Sequence, residues 1–397
     1  MSVYLDHAAT TPMLPAAVEA LTAELGRTGN PSSLHAAGRA GRRTVEEARE
    51  RLAGALGARP SEVLLTSGGT ESDNLAVKGM FWARRTADPR RRRLLVSSVE
   101  HHAVLDPAFW MAEHAGAEVV LLPVDQDGVL DTDALAAELA AHGERTALVS
   151  VMWANNEVGA LQPIEEVVAL AHRHGVPVHA DAVQAVGQVP VDFAASGLDA
   201  MTVTGHKLGG PGGIGALLAR RGLELTPVQH GGGQERGIRS GTLHAPLAAS
   251  FSVAAQQAVA AVPHEAPRVQ RLRDRLVAGV LERVPGARLR GPAQASLRLP
   301  ANAHLTFDGC EGDSLLYLLD SAGIEVSTGS ACQAGVPQPS HVLLAMGLTE
   351  DEAHGALRFS LGHTTVDEDV DAVLAALPAA VERARAAGRA LRAAVPA

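Results

Sequence analysis

The sequence predicts an α/β protein built on a largely parallel sheet of seven strands covered by helices, joined to a second, smaller lobe. Three observations carry this expectation. The chain has 397 residues, 46% hydrophobic and 20% charged, with no long apolar run, which is enough for a large core and two lobes. Seven short apolar or β-branched runs alternate with helix-length segments from about residue 60 to about residue 220. Past Gly241 the alternation stops and helical stripes replace it.

In chain order the expected strands are Glu62 to Thr66, Leu94 to Val99, Val119 to Pro123, Ala147 to Met152, Val176 to Ala180, Met201 to Thr204 and Ile214 to Leu218. Helices fall between them, Ile164 to His174 being one. Beyond them, Pro267 to Val284 carries Val269, Leu272, Leu276, Val280 and Val284 at helical spacing and is expected to be the long connection to the second lobe. Thr365 with Glu368 has the spacing of a capping box ahead of Val370, Val373, Leu374 and Leu377. Residues Val381 to Ala397, rich in Ala and Arg, read as a fraying helix.

The formal charge of -10, from 44 acidic against 34 basic residues, argues against a broad surface for nucleic acid or anionic membrane. The run Arg90 to Arg93 reads as a solvated loop entering a strand. The opening MSVYLDHAATTP lacks the apolar stretch of a signal peptide, and two cysteines, Cys310 and Cys332, cannot make a disulfide framework. A reducing cytoplasm is the expected setting. No metal is expected.

Only two of the basic residues are lysines, Lys78 and Lys207. Lysine can lose its proton and act as an amine nucleophile, which arginine cannot, so a rare lysine raises a chemical question. In open sheets of this kind ligands bind at the carboxyl ends of the strands, and the informative residues follow the runs. The first run leads into Thr66-Ser67-Gly68-Gly69-Thr70 and a helix, a turn whose N–H groups and Thr70 hydroxyl suit a phosphate, although glycine-rich turns also serve as plain connections. Others deliver His101 and His102, the amides Asn155 and Asn156, Asp181 with Gln184, and Thr204-Gly205-His206-Lys207. Asp181 ends an apolar run, and a buried carboxylate needs a partner such as a protonated ring nitrogen. Phosphate turn, stacking ring, ring-nitrogen carboxylate and amine are together what pyridoxal 5'-phosphate requires.

The motifs YLDHAATTP (4–12), NPSSLH (30–35), TSGGTESDNLAVKG (66–79), EHHAVL, NNEVG, HADAVQAVGQ, TGHKLGGPGGIGAL, GGGQERGIRSGT (231–242), STGSACQAG (327–335) and RFSLG (358–362) extend over almost the whole chain. In them the sequence resembles the class V aminotransferase group of fold-type I pyridoxal-phosphate enzymes, and within it the NifS/IscS-like cysteine desulfurases. The resemblance implies a large cofactor-binding domain over 14–255, with 1–13 and 256–397 forming a small α+β domain that carries the Cys332 loop. It makes Lys207 the Schiff-base lysine, His101 the stacked ring and Asp181 the partner of the pyridine nitrogen. Asn156 and Gln184 become neighbours of the ring hydroxyl and substrate. Gly69, Thr70, Thr204 and His206 belong to the phosphate site, and Thr242 is supplied by the other protomer of a homodimer. Arg358 holds the substrate carboxylate, a task its planar fork suits. Thr204 stands where serine is commoner in the family, and Gly69 where alanine is.

Cys332 lies among small and turn-forming residues, as in an exposed mobile loop ahead of a helix near Ser340, whereas Cys310 has Asp308 and Glu311 beside it, which disfavour a thiolate. The implied reaction converts L-cysteine to L-alanine, leaves the sulfur as a persulfide on Cys332, and has His101 carry a proton. The implied recipient is an iron-sulfur scaffold or a tRNA-thiolation carrier. A selenocysteine lyase or a class V aminotransferase would share every cofactor residue, and a docking subunit for sulfur carriers is the alternative from outside enzymology.

Overall fold

The computed structural model describes residues 2–329 and 339–394. Its strands are β1 (Val3–Tyr4), β2 (Val63–Thr66), β3 (Arg93–Ser97), β4 (Glu118–Leu122), β5 (Thr146–Ser150), β6 (Val178–Asp181), β7 (Ala200–Thr204), β8 (Gly215–Ala219), β9 (Ala287–Arg290), β10 (Asn302–Phe307), β11 (Ile324–Glu325) and β12 (Ala356–Ser360). The helices are α1 (Pro15–Leu25), α2 (Ala36–Ala55), α3 (Gly69–Ala87), α4 (His102–Ala115), α5 (Thr132–His142), α6 (Ile164–Arg173), α7 (Phe193–Ser196), α8 (Ala245–Arg283), α9 (Gly312–Asp320), α10 (His341–Ala345), α11 (Glu350–His354) and α12 (Asp367–Ala394).

The seven expected runs all become strands of one sheet, in the order β2-β8-β7-β6-β5-β3-β4. From β7 through β6, β5 and β3 to β4 the pairing is parallel, and β8 runs antiparallel to both its neighbours. β5, β6 and β7 are buried along their whole length. The reason is that α3 and α4 pack on one face while α2, α5, α6 and α8 pack on the other. A strand buried on both faces reads as an unbroken apolar run, which is why these segments were legible without alternation.

The second core is built on a three-stranded antiparallel sheet, β12-β10-β9, beside the parallel pair β1 and β11. The C-terminal part of α8, with α9 and α12, covers it through residues such as Leu272, Leu276, Leu315 and Val373.

Three expectations need correction. The helix expected from Pro267 is the second half of α8, which starts at Ala245 and runs 39 residues through Pro263 and Pro267. Both prolines are exposed, so neither ring enters a packed face. By length and composition α8 could cross a membrane, yet it lies against α1 and α2. The capping contact before α12 is also shifted: Thr365 accepts from the Gly362 N–H, and Asp369, not Glu368, reaches back to the Val366 N–H at 2.9 Å. Finally, the run Arg90 to Arg93 is not a freely solvated loop. Arg93 pairs with Glu138 at 2.5 Å and Arg92 with Glu118 at 2.7 Å, which ties the entrance of β3 to α5 and β4.

Candidate active site

The carboxyl ends of the large sheet open into a cavity of about 420 Å³. Gly69, Thr70, His101, Asn156, Asp181, Gln184, Thr204, His206, Lys207 and Arg358 all line it. Two expected site residues are not among them. Thr242 is exposed and outside this cavity, and Cys332 lies outside the described residues.

One end of the cavity is made by the turn from β2 into α3. Gly69 and Thr70 open the helix, so its unpaired N–H groups and dipole face the cavity. Glu71, in the same turn, would oppose an anion. Its carboxylate is held below the usual range despite burial, because Arg239 pairs with it at 2.7 Å and the Ser67 N–H donates to it. β8 passes so close that a Cβ on Gly215 would lie 2.7 Å from the Val203 carbonyl oxygen and 2.8 Å from Gly68. Glycine is required there to seat the turn against β7, which ends in Thr204. His206 follows; burial, then the Lys207 charge, push its pKa down to about 4, so the ring is neutral at pH 7.

At the opposite wall Asp181 closes β6. Its Oδ1 accepts from the Val183 N–H at 2.9 Å, and burial raises its pKa to about 6 against the pull of that N–H and of Lys207. Two further carboxyls, Asp73 and Glu100, lie in the same interior and are buried completely or nearly so. Burial, followed by repulsion from Asp181, raises the pKa of both well above the ordinary carboxylate value. Asp181 lines the cavity, where a cationic N–H would lower its pKa.

His101 is the N-cap of α4. Its Nδ1 accepts from the Ala103 N–H at 3.0 Å, which assigns the ring proton to Nε2. Desolvation, then the Lys207 charge, lower its pKa to about 4 and keep it neutral at pH 7. Lys207 lies beyond the end of β7, its Nζ donating to the carbonyls of Ala8 and Ala9. Burial, with Arg358 nearby, brings its pKa down to about 8. Arg358 donates from Nη1 to the Asn156 carbonyl at 2.9 Å and from Nη2 to Asp6 at 2.8 Å.

Helix N–H groups and hydroxyls at one end, a carboxylate seeking a cationic N–H at the other, an imidazole and an amine of lowered pKa between them match pyridoxal 5'-phosphate in chemistry. Among the described residues no group of three His, Cys, Asp or Glu side chains is placed to hold a metal. A family model described as "Aminotransferase class-V" matches residues 3–373. The chain belongs to the class-V aminotransferase family. This family member is 59% identical over 384 residues to an "IscS-like cysteine desulfurase" of Mycobacterium tuberculosis, with 97% of each chain covered. It is 42% identical to a "Cysteine desulfurase IscS" of Methanosarcina thermophila over 97% of this chain and 93% of the other. A solved structure titled "NIFS-LIKE PROTEIN" superposes with a TM-score of 0.89 at 35% identity, covering 96% of this chain and all of that one.

Sequence reasoning gave no role to Asp73 or Asp6 of this class-V site, and it took Asn155 only as a strand-end amide. Asn155, adjacent to Asn156, is a turn staple: its amide donates to the Val99 carbonyl and its Oδ1 accepts from the Glu157 and Val158 N–H groups. Asp73 carried a faint signal, an acid one turn into α3 just before Leu75, Ala76 and Val77. Asp6 carried none, because its partner Arg358 is 352 residues away. Cys310 is buried, its Sγ 3.8 Å from the Val381 carbonyl oxygen. Its thiol pKa is raised first by burial and only last by Glu311 and Asp308, so the expected direction holds for a different leading reason.

Proposed function

We propose that this chain is a pyridoxal 5'-phosphate-dependent cysteine desulfurase that converts L-cysteine to L-alanine and takes the sulfur as a persulfide on Cys332. The observation that carries this reading is the meeting of Lys207, His101, Asp181 and Arg358 in one cavity whose wall includes Gly329. Two residues, Ser330 and Ala331, separate Gly329 from Cys332, three steps of chain that reach at most about 11 Å.

When bound, the cofactor withdraws electrons from the substrate's α-carbon. Lys207 holds it and then moves the α-proton at Nζ, the amine of lowered pKa suiting a base near neutral pH. Asp181 keeps the ring nitrogen protonated. Arg358 orients the substrate through its carboxylate, and His101 carries a proton at Nε2 to or from the substrate thiol. The Cys332 thiolate forms an S–S bond to the substrate sulfur as the C–S bond breaks; the electron pair of that bond stays with the β-carbon, which takes up one proton, and the α-carbon regains the proton given to Nζ, so each cysteine leaves one alanine and one persulfide.

Residues 14–255 are proposed as the cofactor domain, with 1–13 and 256–397 as the smaller one; the two cores divide along α8 between Val259 and Val269, which supports this. A homodimer is proposed because Thr242, exposed and outside its own cavity, is available to another chain's phosphate site. The sulfur recipient is proposed to be an iron-sulfur scaffold or sulfur-carrier protein, in a reducing cytoplasm.

The test is substitution at the two cysteines. Cys332→Ala is expected to retain the cofactor's visible band and its spectral response to L-cysteine while sulfide and persulfide fall at least a hundredfold. Cys310→Ser is expected to keep activity within twofold. Sulfide release surviving in Cys332→Ala would reject the persulfide route.

A further inference from the structure

The segment from Leu5 to Thr11 crosses the cavity as a strap. Backbone bonds fix it on both sides: the Leu5 N–H donates to the Glu325 carbonyl at 2.9 Å, the His7 N–H to Ser360 at 3.2 Å, and the Thr11 N–H to His206 at 3.1 Å. The Ala8 N–H adds a bond to Ser360 Oγ at 2.9 Å. Thus the strap is stapled to β12, which carries Arg358, and to the turn that carries Lys207. Its own acceptors then point at both cations: the Asp6 carboxylate at Arg358, the Ala8 and Ala9 carbonyls at Lys207.

Arg358 is 4% exposed, and the N–H groups of a buried guanidinium need acceptors. Asp6 is the acid that pairs with it. Each terminal nitrogen of Arg358 carries two N–H bonds, and each gives one to the chain, Nη1 to the Asn156 carbonyl and Nη2 to Asp6. One N–H remains on each, and the buried Nε–H has no partner among the described residues; a carboxylate takes up two adjacent N–H bonds of such a fork in the bidentate mode. A fork pinned by two different elements loses less side-chain entropy on binding than a free one.

We propose that Asp6 is the positioning residue for substrate carboxylate recognition: it pins Nη2 of Arg358 so that the remaining N–H pair is presented to the carboxylate of an α-amino acid. This rests on the assignment of Arg358 to the substrate carboxylate made above. Asp6 acts through its acceptor oxygen, so Asp6→Asn, which keeps an oxygen at the same place, retains most of the effect, and Asp6→Ala loses it.

The test uses the cofactor-loaded protein and reads binding and turnover separately. L-alanine and ethylamine differ by the carboxylate alone, and their affinities are measured by calorimetry for the wild type, Asp6→Ala, Asp6→Asn and Arg358→Ala. Asp6→Ala is expected to weaken L-alanine and to raise the KM for L-cysteine about tenfold, the order of one charge-assisted hydrogen bond. Its kcat stays within threefold, its ethylamine affinity is unchanged, and Asp6→Asn recovers to within threefold of wild type. If Arg358→Ala binds L-alanine as well as wild type, the carboxylate assignment of Arg358 is wrong. If Arg358→Ala loses L-alanine while Asp6→Ala stays within twofold of wild type, the role of Asp6 is wrong. Equal losses for L-alanine and ethylamine in Asp6→Ala, without recovery in Asp6→Asn, would reduce Asp6 to a general structural contact and overturn the proposal.

Discussion

Lys207 sits where its own charge is disfavoured, and this has a measurable signature. In the cofactor-free folded chain its pKa falls from 10.5 to about 8, chiefly through burial. Between those two values the unfolded chain binds more protons than the folded one, so stability rises with pH across the window; below about pH 8 both states are protonated and the full penalty remains. The cofactor-free wild type is expected to gain on the order of 1 to 3 kcal/mol relative to Lys207→Met between pH 8 and pH 10.5, read from urea midpoints. A difference independent of pH would show that the amine is not desolvated. Lys207 was legible in the sequence because only one other lysine competes with it. Asp181 was legible because it ends an apolar run. Asp6 was not, since an ion pair spanning 352 residues leaves no mark in local spacing.

α8 is the element on which both cores hang. Its first half packs against α1 and α2 and its C-terminal part against α12. Two prolines interrupt its ladder where the cores divide, each removing an N–H donor and displacing the carbonyl four residues before it. Because both are exposed, replacing either by alanine restores the ladder without disturbing a packed face. Against that gain stands the greater freedom of the unfolded alanine chain. Pro263→Ala and Pro267→Ala are each expected to stabilise the protein by about 1 to 2 kcal/mol in urea unfolding, the ladder term outweighing the entropy term. Destabilisation would mean that the interruption shapes the packing between the cores. The helix start was misread because Pro267 has the local look of an N1 residue. The pattern upstream, rich in alanine, has too little contrast between faces to announce a helix.

Across the whole molecule, the stretch 231–242 braces the turn from β2 into α3 through the Arg239–Glu71 pair at 2.7 Å. Glu235 and Arg236 adopt left-handed φ values of 44° and 61°, a strained choice for residues with side chains. Glu235 is nevertheless held there by a bidentate pair with Arg49 at 2.7 and 2.9 Å and by the Leu65 N–H at 2.8 Å. Breaking this buried pair with Glu235→Ala leaves Arg49 only the more exposed Glu46 at 3.3 Å as a counter-charge and is expected to cost about 3 kcal/mol of stability. Release of the bound cofactor at lower urea than global unfolding would accompany it if Thr242 serves a second chain; cofactor retention through to unfolding would place Thr242 outside any phosphate site. The sequence by itself determined the seven strands and which residues follow their carboxyl ends; the cavity there is lined by ten of the twelve expected site residues, Arg358 reaching it from β12 of the other sheet. It could do so because buried parallel strands are continuous apolar runs, and chemistry at their ends follows them directly in the chain. Tertiary structure alone decided that burial and the nearby Asp181 push the pKa values of Asp73 and Glu100 up, that Asp6 faces Arg358, and that α8 runs unbroken through its prolines. These are settled by burial and by contacts between residues far apart in sequence, whose energies no local pattern records.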